Sequence, residues 1–236
     1  MFTNPNERGW EMNAVKKLFV MRHAESLEDV DTTAYERIAD EDMPLTDFGK
    51  EQAVRFGRQF ADEIDAGTNL RVFLSPSKRV LQTAQLVVSS VPKHAEWSLV
   101  TDNLISKQDW GSVTVHNRAE IEKERYRVGV LRYRFPEGES GAEMLFRFDL
   151  FVKRLEQEIS EGTAGSFLVI THGFEFRVLL KSLLGWTEEY FESLAHPLHC
   201  EMKRVAYSNG SFLLLDEMMV YNPANNPNFI RRSSNS

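Results

Sequence analysis

The chain has 236 residues, a formal net charge of −7 and hydrophobic residues at 42% of positions, which suffices for one large domain with a buried core. The negative charge argues against a general nucleic-acid binder, because phosphate backbones are bound by basic faces. No apolar run approaches the roughly 20 residues that span a bilayer, so we expect neither nucleic acid nor a membrane as a partner.

The single cysteine, Cys200, excludes an intrachain disulfide framework and a cysteine cluster for a structural metal. We interpret it as a small packed side chain without a catalytic role. Residues 1–16 lack the apolar core of a secretory signal, so they are predicted to form a flexible leader, and the cytoplasm is the expected location. We expect no cofactor and no metal, and the sequence allows a homo-oligomer.

The first predicted strand is the apolar run from Leu18 to Met21, which delivers Arg22 and His23 into a short turn. A histidine that follows a cation at the end of a buried strand packs poorly, but it is a good nucleophile for a phosphoryl group. Thr46 is the predicted N-cap of the first helix. Apolar residues recur on one face of that helix at helical spacing, namely Ala53, Phe56, Phe60 and Ile64.

A second strand, Leu70 to Leu74, is followed by a second helical pattern within residues 75–91. The predicted apolar stripe of this helix consists of Leu81, Ala84, Val88 and Val91. Alternation of strand and helix is typical of βαβ units, in which helices cover a parallel sheet.

A third helix is predicted from about Ala142 to Ile159 and leads into the strand Phe167 to Ile170, which delivers Thr171, His172 and Gly173. The pair Asn209-Gly210 indicates a C-terminal hairpin, because both residues tolerate positive φ. The polar, Asn- and Ser-rich residues 222–236 are predicted to be a disordered tail. The apolar stripe of the third helix comprises Leu145, Phe148, Val152, Leu155 and Ile159.

Residues from about 92 to 139 fit the strand and helix alternation least well, so we predict an inserted cap that folds over one edge of the sheet. Arginines cluster there between Arg118 and Arg134, either on a solvated helix face or on a pocket rim for an anionic substrate. The predicted fold is thus an α/β three-layer sandwich with a mostly parallel sheet, a cap insertion and a C-terminal hairpin, all in one domain over residues 17–221.

Several short motifs occur in a fixed order along this framework. The main ones are RHAES at 22–26, SPSKR at 75–79, QTA at 82–84 and THG at 171–173. In order and spacing they resemble the motifs of the histidine phosphatase superfamily, the phosphoglycerate-mutase-like fold, over roughly residues 17–217. PLT at 44–46 and GES at 138–140, with Arg147 beyond, extend the resemblance towards the phosphatase branch.

This resemblance implies a phosphoryl-transfer site without a metal. His23 would be the nucleophile and form a phosphohistidine, and Arg22, Arg79 and His172 would bind the phosphoryl group. Physical chemistry agrees, because a neutral imidazole can attack phosphorus and cationic donors stabilise the charged oxygens. Phosphate or substrate contacts would come from the same motifs, through Ser26, Thr46 and Gly173.

Two residues depart from the family pattern. Ala24 stands where relatives usually have glycine, which adds a methyl group beside the phosphate. Lys107 stands where the resembling segment of relatives has the glutamate that protonates the leaving oxygen. The remaining histidines, His94, His116, His196 and His199, are predicted to have structural or surface roles.

The loss of that glutamate leaves three explanations open. Another carboxyl group, such as Asp109 or Glu175, supplies the proton; the substrate has a good leaving group; or the protein is a weakened phosphatase that binds phosphorylated ligands. Lys107 itself could donate a proton or add a cation to the pocket. If the missing acid limits the rate, Lys107→Glu is expected to raise turnover on poor leaving groups.

The predicted function is metal-independent hydrolysis of phosphomonoesters, with a phosphorylated small molecule or a phosphoprotein as partner. The alternative is a weakened or inactive phosphatase fold that binds a phosphorylated ligand or partner. A phosphoglycerate mutase is less favoured, because isomerisation needs a proton donor at the position of Lys107.

Overall fold

Six strands form one sheet in the order β3-β2-β4-β1-β5-β6 in the computed structural model of the chain, which describes residues 16–65, 67–91 and 96–221. Strands β1 to β4 run parallel, and β5 and β6 are antiparallel to their neighbours. This confirms the predicted mostly parallel sheet. The strands are β1 (Lys16–Arg22), β2 (Asn69–Leu74), β3 (Glu96–Thr101), β4 (Ser166–Thr171), β5 (Met202–Ser208) and β6 (Ser211–Leu214).

Helices cover both faces of the sheet. Because side chains alternate along a strand, Leu18 and Val20 of β1 enter one core while Phe19 and Met21 enter the other. The helices are α1 (Leu27–Val30), α2 (Asp47–Phe60), α3 (Lys78–Ser90), α4 (Arg118–Val128), α5 (Gly141–Ser160), α6 (Gly173–Leu184) and α7 (Glu188–Ser193). The first core lies under α5 and α6 and the second under α2 and α3, so the predicted three layers are present.

The N-terminus of α2 presses against the RHAES turn. Thr46 is the N-cap as predicted, since its hydroxyl accepts a hydrogen bond from Gly49 N at 2.9 Å. A Cβ at Gly49 would lie 2.0 Å from the carbonyl oxygen of Glu25, so only glycine allows this close approach. The helix ends at Phe60, and Ile64 lies beyond a short 3₁₀ turn, Ala61–Glu63.

The buried face of α3 differs from the predicted stripe. Leu81 is 38% exposed, and the residues that face the core are Val80, Thr83, Ala84 and Val87, together with Arg79. The prediction counted apolar residues only. Two of the inward residues are polar: Arg79 lines the site, and Thr83 donates to Arg79 O and accepts from Ala24 N.

The predicted cap insertion begins later than its assigned start. Residues 96–101, which the sequence placed in the insertion, form the parallel edge strand β3 beside β2. Its sequence, EWSLVT, mixes polar and apolar residues, as is typical of an exposed edge strand. It therefore lacks the apolar run from which the other strands were predicted. The segment that leaves the sheet is therefore 102–139, which contains α4.

At the other edge, β5 and β6 form the predicted hairpin, with Asn209 and Gly210 at φ of 51° and 73°. The predicted leader and tail lie outside the described residues, except that Lys16 already belongs to β1. Within the described ranges, the helices are too short or too polar to cross a membrane.

Candidate active site

The two predicted histidines meet at the carboxyl edge of the sheet. Strands β1 and β4 are parallel neighbours, and their register places Arg22 opposite Thr171. The next residue of each strand end is a histidine, so the rings of His23 and His172 lie 5.1 Å apart between centroids. Both side chains are buried.

His23 is held in one tautomer. Its Nδ1 lies 2.7 Å from the carbonyl oxygen of Ala24, and since a carbonyl only accepts, Nδ1 carries the proton. The lone pair is therefore on Nε2, as a nucleophile requires. Burial and the charges of Arg79 and Arg22 hold the pKa of His23 well below its usual value, so the ring stays neutral. Ala24 adopts no positive φ, which explains why alanine replaces glycine there without backbone strain.

His172 is the residue before α6 and contacts two serines of the SPSKR motif. Its Nε2 lies 2.8 Å from Ser75 Oγ and 3.1 Å from Ser77 Oγ. Burial, Arg79 and the neighbouring His23 lower its pKa well below the usual value. The loop before α3 thus orients the second histidine.

The lowered pKa values of His23 and His172 predict that stability depends on pH. In the unfolded chain a histidine has a pKa of about 6.5. Below that pH the histidines of the unfolded chain bind protons, whereas His23 and His172 of the folded chain stay neutral. The unfolding free energy therefore decreases as the pH falls. Two groups that stay neutral in the folded state over this range would lower the unfolding free energy by at most about 3 kcal/mol between pH 7.5 and 5.5. Urea unfolding of wild type and of the His23→Gln, His172→Gln double variant measures this, and an equal pH dependence in both would contradict it.

Two arginines stand beside the histidines. Arg22 donates from Nη1 to Pro197 O at 2.8 Å and from Nη2 to Asp29 Oδ1 at 3.1 Å. Arg79 is fully buried and donates from Nη1 to Asp40 O at 2.5 Å. Its Nη2 lies 3.3 Å from both carboxylate oxygens of Asp40. These guanidinium groups can bind phosphoryl oxygens in pairs.

The three residues predicted to bind phosphate or substrate each contact another residue of the chain. Ser26 Oγ donates to Asp29 Oδ2 at 2.7 Å, within the capping box of α1. Thr46 Oγ1 donates to Glu25 Oε1 at 2.7 Å. Gly173 opens α6 under the ring of His196, where a Cβ would lie 2.1 Å from Nε2. Their roles in binding phosphate stay predictions.

Lys107 is enclosed by acceptors. Its Nζ donates to Asp40 Oδ1 at 2.6 Å, Tyr35 OH at 3.0 Å and Glu28 Oε2 at 3.2 Å. An ammonium group has three protons, so all three are used. Arg147 on α5 donates to the carbonyl oxygens of Leu104 and Lys107, which fixes this segment against the body of the domain.

The two carboxyl groups suggested as proton donors are placed differently. Glu175 is buried and its Oε1 accepts from Gln108 N at 2.7 Å, so it supports the cap backbone. Asp109 is exposed, and its Oδ1 accepts from Gly111 N at 2.8 Å. Neither makes a hydrogen bond or ion pair with His23, Arg79 or His172 within the described part of the chain.

A cavity of about 780 Å³ lies between the cap and the SPSKR loop. Ser75 and Ser77 border it on the side of His172, and Trp110 and Arg118 border it on the cap side. The Arg118 guanidinium lies 4.9 Å from the Trp110 ring centroid. Both predictions for the arginine cluster apply in part: Arg118 lines the cavity, whereas other members, Arg127 and Arg132, are exposed and paired with Glu124 and Glu188.

Sequence reasoning missed the loop 195–201, which packs directly on the site. The His199 ring lies 5.9 Å from that of His23, and its Nε2 is 3.0 Å from Asp29 Oδ1. Cys200 N donates to His23 O at 3.3 Å, and burial raises the pKa of the Cys200 thiol to about 12. The only signal in the sequence was the pair of histidines in HPLH, which has no strand context.

The chain is similar to known proteins over most of its length. A profile of the histidine phosphatase superfamily (branch 1) matches residues 18–217. The chain belongs to this superfamily. It is 30% identical over 204 residues to the phosphoglycerate mutase-like protein AT74H of Arabidopsis thaliana, covering 80% of this chain and 73% of that protein.

Solved structures agree on the histidine phosphatase fold. The phosphoglycerate mutase of Bacillus anthracis superposes with a TM-score of 0.66 at 18% identity, over 86% of this chain and 92% of that one. A mycobacterial glucosyl-3-phosphoglycerate phosphatase superposes with a TM-score of 0.65 at 15% identity, over 88% and 100%. Members of the superfamily are phosphatases or mutases, so the family alone does not fix the reaction of this chain.

Proposed function

We propose that this protein hydrolyses phosphomonoesters without a metal, through a phosphohistidine on His23. The observation that carries the proposal is the hydrogen bond between His23 Nδ1 and Ala24 O. It leaves the Nε2 lone pair on a neutral imidazole beside Arg22, Arg79 and His172. Phosphoryl transfer needs little more from a protein than such a nucleophile and positioned cationic donors.

The reaction has two steps in this account. His23 Nε2 attacks phosphorus and the ester oxygen leaves, and water then attacks the phosphohistidine and releases inorganic phosphate. The fully buried Arg79 binds the phosphoryl oxygens in both steps, because its charge is strongest in a dry site. Among the described residues, no group of three or more His, Cys, Asp or Glu could hold a metal ion.

The cavity favours hydrolysis of a sizeable ester. Its volume of about 780 Å³ is within the range of sites for drug-sized ligands and exceeds what a bare phosphate fills. Tyr35 and Trp110 provide aromatic walls. A structurally similar mycobacterial protein is named as a glucosyl-3-phosphoglycerate phosphatase, and we propose hydrolysis of a phosphate ester for this chain as well.

Arg79→Ala is expected to lower kcat/KM about 10²- to 10³-fold, the usual cost of removing one preorganised donor to the transition state. Phosphate release from a panel of phosphomonoesters in EDTA measures it. Arg127→Ala is the matched control, because Arg127 is exposed and, among the described residues, forms its ion pair with Glu124 three residues away. It should match wild type.

The same assay tests the binding-protein alternative. A wild type that releases no phosphate in EDTA, yet is stabilised against heat by inorganic phosphate, would overturn the proposed hydrolysis and favour a phospholigand-binding protein.

A further inference from the structure

Asp40 occupies the boundary between the phosphoryl-binding arginine and the cavity. Its carboxylate contacts Arg79 Nη2 at 3.3 Å and Lys107 Nζ at 2.6 Å, and it lines the cavity. In an ester bound with its phosphoryl group on Arg79 and its organic part in the cavity, the bridging oxygen would lie at this boundary. In that pose a carboxyl group at this boundary would lie next to the bond that breaks.

We propose that Asp40 is the proton donor to the leaving oxygen. This inference rests on the proposed function and adds a catalytic residue to it. In this arrangement the carboxyl group comes from the 3₁₀ turn Asp40–Asp42 and not from the cap position held by Lys107. Lys107 is then a positioning residue, whose ammonium group holds the carboxylate in place.

Other acidic residues fit this role less well. Glu28 contacts Arg79 Nε at 3.4 Å and Lys107 but does not border the cavity. Glu36, Glu41 and Asp109 border the cavity, yet within the described ranges none of them pairs with Arg79. Asp40 alone among these carboxylates both touches Arg79 and lines the cavity.

The charges around Asp40 change when substrate binds. In the free protein, burial alone would raise the pKa of Asp40, but Lys107 from the cap and Arg79 from α3 hold it below the usual value. Two sets of acidic residues lie near Asp40. Glu28 of α1 pairs with the same two cations, and Glu41 and Asp42 belong to the same 3₁₀ turn as Asp40. A bound phosphoryl group would also contact Arg79, and it would place negative charge beside the carboxylate. Nearby negative charge raises the pKa of a carboxyl group, so substrate binding favours the protonated form of Asp40.

The proposed step is balanced. The Nε2 lone pair of His23 forms the N–P bond, the electron pair of the P–O bond goes to the leaving oxygen, and that oxygen takes the proton of Asp40. In the second step water attacks phosphorus and gives a proton back to the Asp40 carboxylate, and the N–P electron pair returns to His23.

Asp40→Asn tests the proposal on esters with poor and good leaving groups. General acid catalysis contributes about 10²- to 10⁴-fold, so kcat on alkyl phosphates should fall by that factor while kcat on 4-nitrophenyl phosphate changes less than about tenfold. Asp42→Asn is the matched control, because Asp42 is exposed on the same turn and does not line the cavity. Asp40→Glu keeps a carboxyl group and should retain more alkyl phosphatase activity than Asp40→Asn.

Two results would overturn the role of Asp40 while leaving the proposed function intact. An equal loss on both ester classes would make it a structural partner of Arg79 and Lys107. A gain in kcat/KM on both classes would make it an anion that competes with substrate for Arg79. Failure of the proposed function is distinguishable, because wild type would then release no phosphate from either class.

Discussion

His23→Ala should lower phosphate release at least about 10³-fold on every phosphomonoester, because removal of a covalent nucleophile eliminates the pathway and not only one interaction. Good and poor leaving groups should be affected alike. This separates His23 from Asp40, whose loss should be felt mainly on poor leaving groups. The measurement is phosphate release in EDTA at saturating substrate.

The control for His23→Ala is phosphate binding. Arg22, Arg79 and His172 remain in this variant, so inorganic phosphate should still raise its melting temperature. A variant that binds phosphate but has no turnover is folded and lacks only the nucleophile. Turnover above about a tenth of wild type would contradict a nucleophilic His23.

Lys107→Glu should destabilise the protein and should not raise turnover. The sequence alone suggested the opposite, but Lys107 Nζ contacts the carboxylates of Asp40 and Glu28. Glutamate there would place three carboxylates together. Loss of one partner from a buried ion pair costs about 3 to 5 kcal/mol, and since the Lys107 side chain is 22% exposed, we expect about 2 to 3 kcal/mol of lost unfolding free energy.

Lys107→Met separates repulsion from the mere loss of the cation. It removes the charge and keeps most of the side-chain length, so its stability should lie between those of wild type and Lys107→Glu. Urea unfolding and alkyl phosphatase activity are measured together. A stable Lys107→Glu protein whose faster turnover persists after Asp40→Asn is added would show that position 107 still accepts a catalytic acid, and would contradict the assignment of Asp40.

The strand ends and their histidines could be predicted from sequence because local patterns determine them. Apolar runs before His23 and His172 indicate buried parallel strands, and the carboxyl ends of such strands meet at one edge. The Thr46 cap and the Asn209-Gly210 turn depend on the chemistry of one or two residues. Each of these features could therefore be predicted without knowledge of tertiary contacts.

The partners of the charged residues could not be predicted, because they are far apart in the chain. Lys107 and Asp40 are separated by 67 residues, and Lys107 and Glu28 by 79. Strand β3 was missed because its edge position removes the apolar pattern. The inward face of α3 was misplaced because Arg79 and Thr83 are buried by polar contacts, which hydrophobic periodicity does not register.

Trapping the phosphoenzyme tests directly whether His23 is the nucleophile. Wild type is mixed with a labelled phosphomonoester in EDTA, quenched in alkali within milliseconds, and digested to map the labelled peptide. We expect an alkali-stable, acid-labile phosphoryl group on the peptide that contains His23, and none in His23→Ala. A label on another residue, or a label that also forms in His23→Ala, would contradict a nucleophilic His23.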